Sequence, residues 1–208
     1  MAVQAEWAQM GGRWALLSGG GSAQAGDNDK EVKVMKVLVA YASKYGSTRE
    51  IAEHIADQLR HHGMQAEARP VQDLDDLVDY DAFVVGSAVF GGHWMPEAME
   101  FVRCNRALLA HGPVWLFSSG PIGATAKKYD TPTDPKELGE LRRAIRPWDH
   151  RVFFGAWDPS KLDRGRLGLA ERMIAKVLPK GDFRDWQAIQ AWAASIARTL
   201  QNQPTAAH

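Results

Sequence analysis

Three hydroxyl side chains surround one glycine where a hydrophobic run gives way to a helical pattern. The run covers residues 36–42, and Ser43, Gly46, Ser47 and Thr48 follow it directly. The first turn of a helix has unpaired backbone N–H groups and a partial positive charge, so it can bind an anion. Hydroxyl groups add donors to such a site, and glycine lets the backbone approach closely. We therefore predict a phosphate site in this loop, formed by Ser43, Lys44, Tyr45, Gly46, Ser47 and Thr48.

Helix capping is the simpler alternative for the same loop. Ser47 and Glu50 have the spacing of a capping box, in which the two side chains satisfy backbone N–H groups at the start of a helix. Capping explains one hydroxyl but leaves Ser43 and Thr48 unexplained. The sequence lacks the Walker pattern of glycines and a lysine, so hydrolysis of a nucleoside triphosphate is excluded.

The rest of the chain alternates between strand and helix patterns. We predict strands at 36–42, 64–71, 81–89, 113–120 and 150–157, and helices at 47–63, 96–112 and 185–200. Short apolar runs separated by amphipathic helices are typical of βαβ units, so we predict an α/β fold with a doubly wound parallel sheet. Ligands of such sheets bind beyond the carboxyl ends of the strands. The loops after the first, third and fourth strands therefore form the candidate site.

The first of these loops resembles the phosphate-loop signature of the flavodoxins. The signature is read here as Tyr41, Ser43, Gly46, Thr48 and Ala52, in the order and spacing of that family. The resemblance implies a five-stranded parallel sheet in the order 2-1-3-4-5, with helices on both faces. It also implies that the chain binds flavin mononucleotide, FMN, and that residues 43–48 hold its phosphate.

The second and third loops would then lie against the flavin ring. An aromatic side chain can stack on a flavin, and we predict Trp94 for this role, with Phe90 and His93 as lesser candidates. The alternative for Trp94 is a core tryptophan. Gly91 and Gly92 indicate either a simple turn or a peptide that rotates when the flavin is reduced. We interpret His93 as a polar wall, and no side chain stands out as a general acid or base. The predicted flavin contacts in the two loops are Ala88, Val89, Phe90, Gly91, Gly92, His93, Trp94, Ser118, Ser119 and Gly120.

Other residues resemble the quinone-linked, flavodoxin-type protoporphyrinogen oxidases. The shared residues are Gly86, the triplets at 92–94 and 100–102, and the Asp185-Trp186 pair that opens the last helix. This resemblance implies a flavin-dependent oxidoreductase whose redox partners include a porphyrinogen and menaquinone. The chain departs from these oxidases at Phe90-Gly91 and over residues 124–149.

Two other functions stay open at this point. One is a flavodoxin-type electron-transfer protein with a protein partner, although such shuttles are acidic and residues 35–208 contain 22 basic and 21 acidic side chains. The other is an NAD(P)H:quinone reductase, for which we find no recognisable nicotinamide site. Residues 166–178 predict a short basic amphipathic helix that either covers the sheet or contacts a membrane surface.

Composition limits which classes of protein and which kinds of site remain possible. The formal net charge is zero, which argues against a nucleic-acid partner, and one cysteine excludes an internal disulfide. We predict no metal site. We expect residues 1–34 to be a disordered extension, 35–202 the folded domain and 203–208 a disordered tail. No apolar run is long enough to span a bilayer and no signal peptide is recognisable, so we expect a cytoplasmic protein, with peripheral contact at the inner membrane face as an option.

Overall fold

A computed structural model describes residues 34–120, 133–158, 160 and 180–203. The predicted basic helix at 166–178, residues 204–208 of the predicted tail and, apart from Val34, the predicted N-terminal extension lie outside these residues. In the described parts of the chain, no helix is long and apolar enough to cross a bilayer.

Five parallel strands form the main sheet. The strands in chain order are β1 (Lys36–Ala42), β2 (Gln65–Pro70), β3 (Ala82–Phe90), β4 (His93–Trp94), β5 (Val114–Ser119), β6 (Asp149–Phe153), β7 (Ala156–Trp157) and β8 (Gly181–Asp182). The parallel strands follow the order β2-β1-β3-β5-β6, while β4 folds back antiparallel on the end of β3. When the two-residue β4 is left out, this is the predicted order 2-1-3-4-5, so the doubly wound fold is confirmed.

Helices cover both faces of this sheet, as predicted. They are α1 (Ser47–His61), α2 (Pro96–Cys104), α3 (Arg106–His111), α4 (Leu138–Ile145) and α5 (Trp186–Gln201). Buried residues of α1 and α5 share one apolar cluster with Val37 and Val39 of β1. The helices α2, α3 and α4 share the other cluster with Leu38 and Ala40, because successive residues of a strand point to opposite faces.

The helix predicted over 96–112 is two helices. The break falls at Asn105, whose backbone angles are φ −104° and ψ 17°. Its side-chain amide donates to the Phe101 carbonyl at 2.9 Å, a local bond that competes with regular helix geometry. The predicted helix at 47–63 ends close to its expected stop, since Gly63 has φ +83° and glycine takes this conformation without strain.

Two further elements differ from the prediction. The fifth strand ends at Phe153, and the chain then turns so that β7 pairs antiparallel with β8. The helix α4 was not predicted, although Leu138, Leu141 and Ile145 recur at helical spacing and are buried. Both features matter to the site, because β7 and the start of α4 lie against its loops.

Candidate functional site

The carboxyl ends of three central strands lie level with one another. Ala42 of β1 is in register with Ser87 of β3, and Ser87 is in register with Ser118 of β5. The loops that follow these strands therefore leave the sheet at one edge, as a ligand site of a doubly wound sheet requires.

The first loop ends in a helix start that no side chain caps. Gly46 is the N-cap residue of α1 with φ +89°, and no side-chain hydrogen bond caps the helix there. Ser43 Oγ accepts from the Gly46 N–H at 3.2 Å, so the Ser43 hydroxyl can still donate its own proton outward. Thr48 is buried in the first turn. An uncapped helix start with hydroxyls beside it fits an anionic ligand.

The alternative capping box is not formed. Ser47 Oγ instead accepts from the backbone N–H of Ala156 at 2.8 Å, which joins the first loop to β7. Glu50 accepts from Arg184 at 2.6 Å, and the Arg184 side chain is only 6% exposed. Arg184 also donates to Asp182, so this guanidinium ties β8 to the first turn of α1. Arg184 has no signal in the local sequence pattern and was not predicted.

Aromatic side chains connect the first loop to the second. The ring of Tyr45 meets Phe90 edge-on with 5.7 Å between centroids, and meets Trp157 edge-on at 5.1 Å. The ammonium of Lys44 lies 5.4 Å from the centre of the Tyr45 ring. Phe90 is 42% exposed and is the aromatic residue of the second loop whose ring is open to solvent.

The second loop is a tight turn between β3 and β4. Gly91 and Gly92 have φ +61° and +84°, a pair of left-handed residues that favours glycine in a two-residue hairpin. The turn therefore accounts for both glycines in this conformation of the chain. The imidazole of His93 lies outside the sheet core and is half exposed.

Glu137, at the start of α4, holds this turn. Its carboxylate accepts from His93 Nδ1 at 2.5 Å and from the backbone N–H of Trp94 at 3.1 Å. Lys136 adds two contacts, from its backbone N–H to the Gly92 carbonyl and from Nζ to His93 Nε2, each 3.0 Å long. Burial raises the pKa of Glu137, but the hydrogen bonds from His93 and Trp94 outweigh it, and the net pKa lies below the ordinary value. The carboxylate that clamps the loop is thus ionised.

Trp94 lies in the core, which was the alternative to its predicted stacking role. Its side chain is only 3% exposed, and Nε1 donates to Ser118 Oγ at 2.8 Å. A ring with so little free surface offers no face to a flavin, so the position of Trp94 argues against stacking. Phe90, the lesser candidate, has the exposed ring that stacking needs.

The third loop begins at two buried serines and a glycine with a positive φ. Ser118 and Ser119 are buried at the end of β5, and Gly120 has φ +141°. A Cβ at Gly120 would lie 3.3 Å from the Val89 carbonyl, so the second and third loops touch here by backbone. Ala88 is buried and Val89 half-buried beside this contact. Residues 121–123, which complete the predicted third loop, are outside the described residues.

A buried histidine beneath this loop was not predicted. The Ser118 hydroxyl, which accepts from Trp94, can donate to His150 Nε2 at 2.9 Å, and His150 Nδ1 lies 3.4 Å from Asp134. Burial lowers the pKa of His150, an effect that Arg142 adds to and that Asp134 and Asp149 partly oppose. The chain of contacts from Ser118 to His150 to Asp134 resembles the catalytic triad of a serine hydrolase. Ser118 is fully buried, however, and its hydroxyl already accepts a hydrogen bond from the indole of Trp94, so no substrate can reach it.

These features together fit FMN, the cofactor that the sequence predicted. The uncapped start of α1 suits its phosphate, and the exposed ring of Phe90 suits its flat ring system. The small residues of the second and third loops leave room for backbone contacts along the ring edge.

Comparison with known proteins points the same way. The family model described as flavodoxin domain matches residues 38–181. The chain is 26% identical over 185 residues to the protoporphyrinogen IX dehydrogenase (quinone) of Escherichia coli strain K12, an alignment that covers 82% of this chain and 99% of that protein. It is 28% identical over 116 residues to the NAD(P)H dehydrogenase (quinone) of Nitrobacter winogradskyi, covering 45% of this chain and 58% of that protein.

Solved structures show the same fold. A flavodoxin from the domain Archaea superposes with a TM-score of 0.55 at 18% identity. The superposition covers 81% of this chain and 100% of the flavodoxin. Oxidised flavodoxin 1 from Bacillus cereus superposes with a TM-score of 0.52 at 15% identity, covering 81% of this chain and 99% of that one.

Proposed function

This chain belongs to the flavodoxin domain family, and from this premise we propose that it is an FMN-dependent oxidoreductase that passes electrons from a porphyrinogen to a quinone. The observation on which the proposal rests is the match to a quinone-linked protoporphyrinogen IX dehydrogenase, 99% of whose length is aligned with this chain. A match of that extent includes both the nucleotide end of the sheet and the elements that follow β6.

Different residues of this chain bind different parts of FMN in this proposal. We assign the phosphate to the start of α1 and to the hydroxyls of Ser43 and Thr48. We assign the ring face to Phe90, with the backbone of Gly91 and Gly120 along the ring edge. When bound, FMN supplies the redox chemistry, and the protein supplies position and electrostatics.

The clamp at Glu137 keeps the second loop in a fixed shape. Because Glu137 and Lys136 hold the Gly92 carbonyl, the His93 ring and the Trp94 N–H together, the Phe90 ring is fixed relative to the first loop. A loop fixed in advance lowers the entropy lost on binding. We propose His93 as a polar wall of the site and assign it no proton transfer.

The double substitution Ser43→Ala and Thr48→Ala is expected to weaken FMN binding by at least about 100-fold. A hydrogen bond from a hydroxyl to an ionised phosphate is worth about 1.5–3 kcal/mol, and the double variant removes two of them. The dissociation constant can be measured by titrating FMN fluorescence with the flavin-free protein.

A matched control removes the same atoms elsewhere. Ser195 and Thr199 lie in the second half of α5, at the end where Gln201 bonds the carbonyl of His62, far from the start of α1. Their double alanine variant should bind FMN as the wild type does. Equal FMN affinity of all three proteins would remove the hydroxyls from the phosphate site.

An anaerobic assay separates the proposed reaction from its competitors. A second candidate is an NAD(P)H:quinone reductase, supported by the similarity over 116 residues to the Nitrobacter dehydrogenase. Protoporphyrinogen or NAD(P)H is added to the FMN-loaded protein, and loss of the flavin absorbance is followed. A menaquinone analogue is then added, and recovery of the absorbance is measured.

Each outcome of that assay identifies one function. Bleaching by protoporphyrinogen and recovery with the quinone is the expected result. Bleaching only by NAD(P)H would overturn the porphyrinogen assignment in favour of the reductase. Bleaching that requires a separate reductase protein would overturn it in favour of an electron-transfer role. Contact with a membrane through residues 166–178 stays a prediction, because these residues are not described.

A further inference from the structure

The helical face formed by α2, α3 and α4 contains a groove with an apolar floor. The volume of the groove is about 240 Å³, and its floor is lined by Met99, Val102, Leu141 and Ala144. Val102 and Leu141 are part of the apolar cluster of this face, and the other two pack against it. The floor is therefore an opening onto the core between α2 and α4.

Three guanidinium groups surround this floor, and we call the whole the basic groove. They belong to Arg103, Arg106 and Arg143, while Glu140 is the acidic side chain of the lining. Arg103 pairs with Glu100 at 2.6 Å, whereas the other two arginines have no ion pair among the described residues. A groove with unpaired positive charge around an apolar floor is complementary to a partner that carries carboxylates around an apolar tip.

A turn of that kind lies on the same face of the sheet. Residues 75–79 form this acidic turn, in which three of the five residues are aspartates and Val78 is 73% exposed. Asp76 accepts from the backbone N–H of Val78 at 3.0 Å, which fixes the shape of the turn. Among the described residues, these carboxylates form one ion pair, a 4.0 Å contact between Asp79 and Lys36. The turn thus presents an apolar tip with carboxylates on both sides.

The acidic turn and the basic groove lie on opposite sides of α2. Leu77 of the turn belongs to the same apolar cluster as Val102 and Leu141 of the groove, so the two patches share one face. The turn is part of the connection from β2 to β3, whereas α4 is part of the connection from β5 to β6. The short 3-10 helix Val71–Asp73, which leads to the turn, lies against α2, and α3 lies against α4.

This arrangement allows two copies of the chain to satisfy each other. A two-fold axis that runs parallel to the strands and passes over α2 brings the turn of each copy to the groove of the other. Such a rotation keeps the level along the strands, so both patches must lie near the same end of the sheet. They do, because Asp81, just after the turn, bonds Lys36 at the start of β1, and Arg143 lies in the last turn of α4, shortly before β6 begins.

We propose that the acidic turn of one molecule binds in the basic groove of a second, and that the reciprocal contact closes a symmetric homodimer. In this dimer Val78 packs on the apolar floor, and Asp75 and Asp79 pair with Arg106 and Arg143. The contact lies toward the amino ends of the strands, and the FMN loops leave from the carboxyl ends, so both FMN sites stay open. The inference is independent of the proposed function, because no residue of the contact is assigned to FMN.

Charge reversal on either patch tests the contact. Asp75→Lys with Asp79→Lys reverses the turn and keeps Asp76, which shapes it. Arg106→Glu with Arg143→Glu reverses the groove. Each pair of substitutions should raise the dimer dissociation constant at least about 100-fold, because like charges then meet at both contacts of the symmetric dimer. Sedimentation equilibrium of the purified chain at low ionic strength measures this constant.

A mixture of the two charge-reversed variants shows whether the patches touch each other. In a mixed dimer the reversed turn faces the reversed groove, and the unchanged turn faces the unchanged groove, so both contacts are complementary again. We therefore expect two variants that are monomeric alone to form a heterodimer when mixed. A mixture that stays monomeric would overturn the proposal, because the two patches would then not be partners.

The apolar tip has its own test. Val78→Thr keeps the branched shape and replaces one methyl group by a hydroxyl, so we expect the dimer dissociation constant to rise about 10-fold. Arg60→Glu with Arg198→Glu is the matched control, because these exposed arginines lie on α1 and α5, which cover the other face of the sheet. That control should form dimers as the wild type does. A wild type that is monomeric at all concentrations, or a dimer that no turn or groove substitution weakens, would refute the inference and leave the proposed function untouched.

Discussion

Replacement of Gly86 by alanine is expected to lower the free energy of unfolding by about 3 kcal/mol. A Cβ at Gly86 would lie 2.0 Å from Cζ of Phe117, far inside van der Waals contact. Phe117 is fully buried, and the rings of Phe153 and Trp192 lie 6.4 and 6.3 Å from it, so it has little room to move. The strain falls between β3 and β5, the strands that end in the second and third loops.

The free energy can be measured by chemical denaturation followed by circular dichroism. Gly112→Ala is the matched control, because a Cβ there would meet its nearest atom at 3.6 Å and the residue has an ordinary φ of −97°. We expect that control to change stability by less than about 0.5 kcal/mol. Phe117→Leu should recover part of the loss in the Gly86→Ala background; a loss that Phe117→Leu only increases would contradict the explanation by overpacking.

Replacement of Ser118 by alanine is expected to cost about 2–4 kcal/mol, because two buried groups lose their partner. The indole N–H of Trp94 and Nε2 of His150 both bond the Ser118 hydroxyl, at 2.8 and 2.9 Å. Both side chains are almost completely buried, so water cannot easily replace the hydroxyl. The same denaturation experiment measures the cost.

Ser119→Ala is the control for this network. The neighbouring serine is also buried, yet its hydroxyl has no hydrogen bond among the described residues, and we expect a change below about 1 kcal/mol. A double-mutant cycle of Ser118→Ala with Trp94→Phe should show a coupling of about 1 kcal/mol, since each change removes the same bond. Full additivity of the two changes would show that the bond between Trp94 and Ser118 contributes nothing.

The network explains why Trp94 supports the site without facing it. Trp94 joins β4 to β5 through Ser118, while its backbone N–H is held by Glu137. The second loop is therefore fixed from below by the core and from the side by the start of α4. An oxidoreductase that must place a substrate against FMN gains from such a fixed loop, because less ordering is left for the binding step.

The alternation of strands and helices, the two-sided sheet and the placing of hydroxyls and a glycine at the start of α1 were all determined by local sequence. Apolar runs such as 36–42, the helical spacing of Ile51, Ile55 and Leu59, and the stop at Gly63 act over a few residues, so a single sequence is enough to recognise them. The helix α4 was missed because it is short, although its three buried residues follow the same spacing.

The orientation of the second loop was decided by tertiary structure. In the β3–β4 hairpin, Val89 pairs with Trp94 and Phe90 pairs with His93, so the two pairs point to opposite faces. The sequence offered both Phe90 and Trp94 to a flavin, and only the packing of the hairpin against α2 and β5 places Trp94 in the core. If β4 were shifted by one residue against β3, Trp94 would lie on the same face of the hairpin as Phe90.

The contacts that complete the first loop could not be predicted from the sequence either. Ser47 bonds a residue 109 positions away and Glu50 bonds one 134 positions away, which replaces the capping box that their spacing suggested. The sequence alone determined that hydroxyls and a glycine stand at a helix start. Only the folded chain brought β7 and β8 against them, because contacts between distant segments depend on how the segments pack and leave no local pattern.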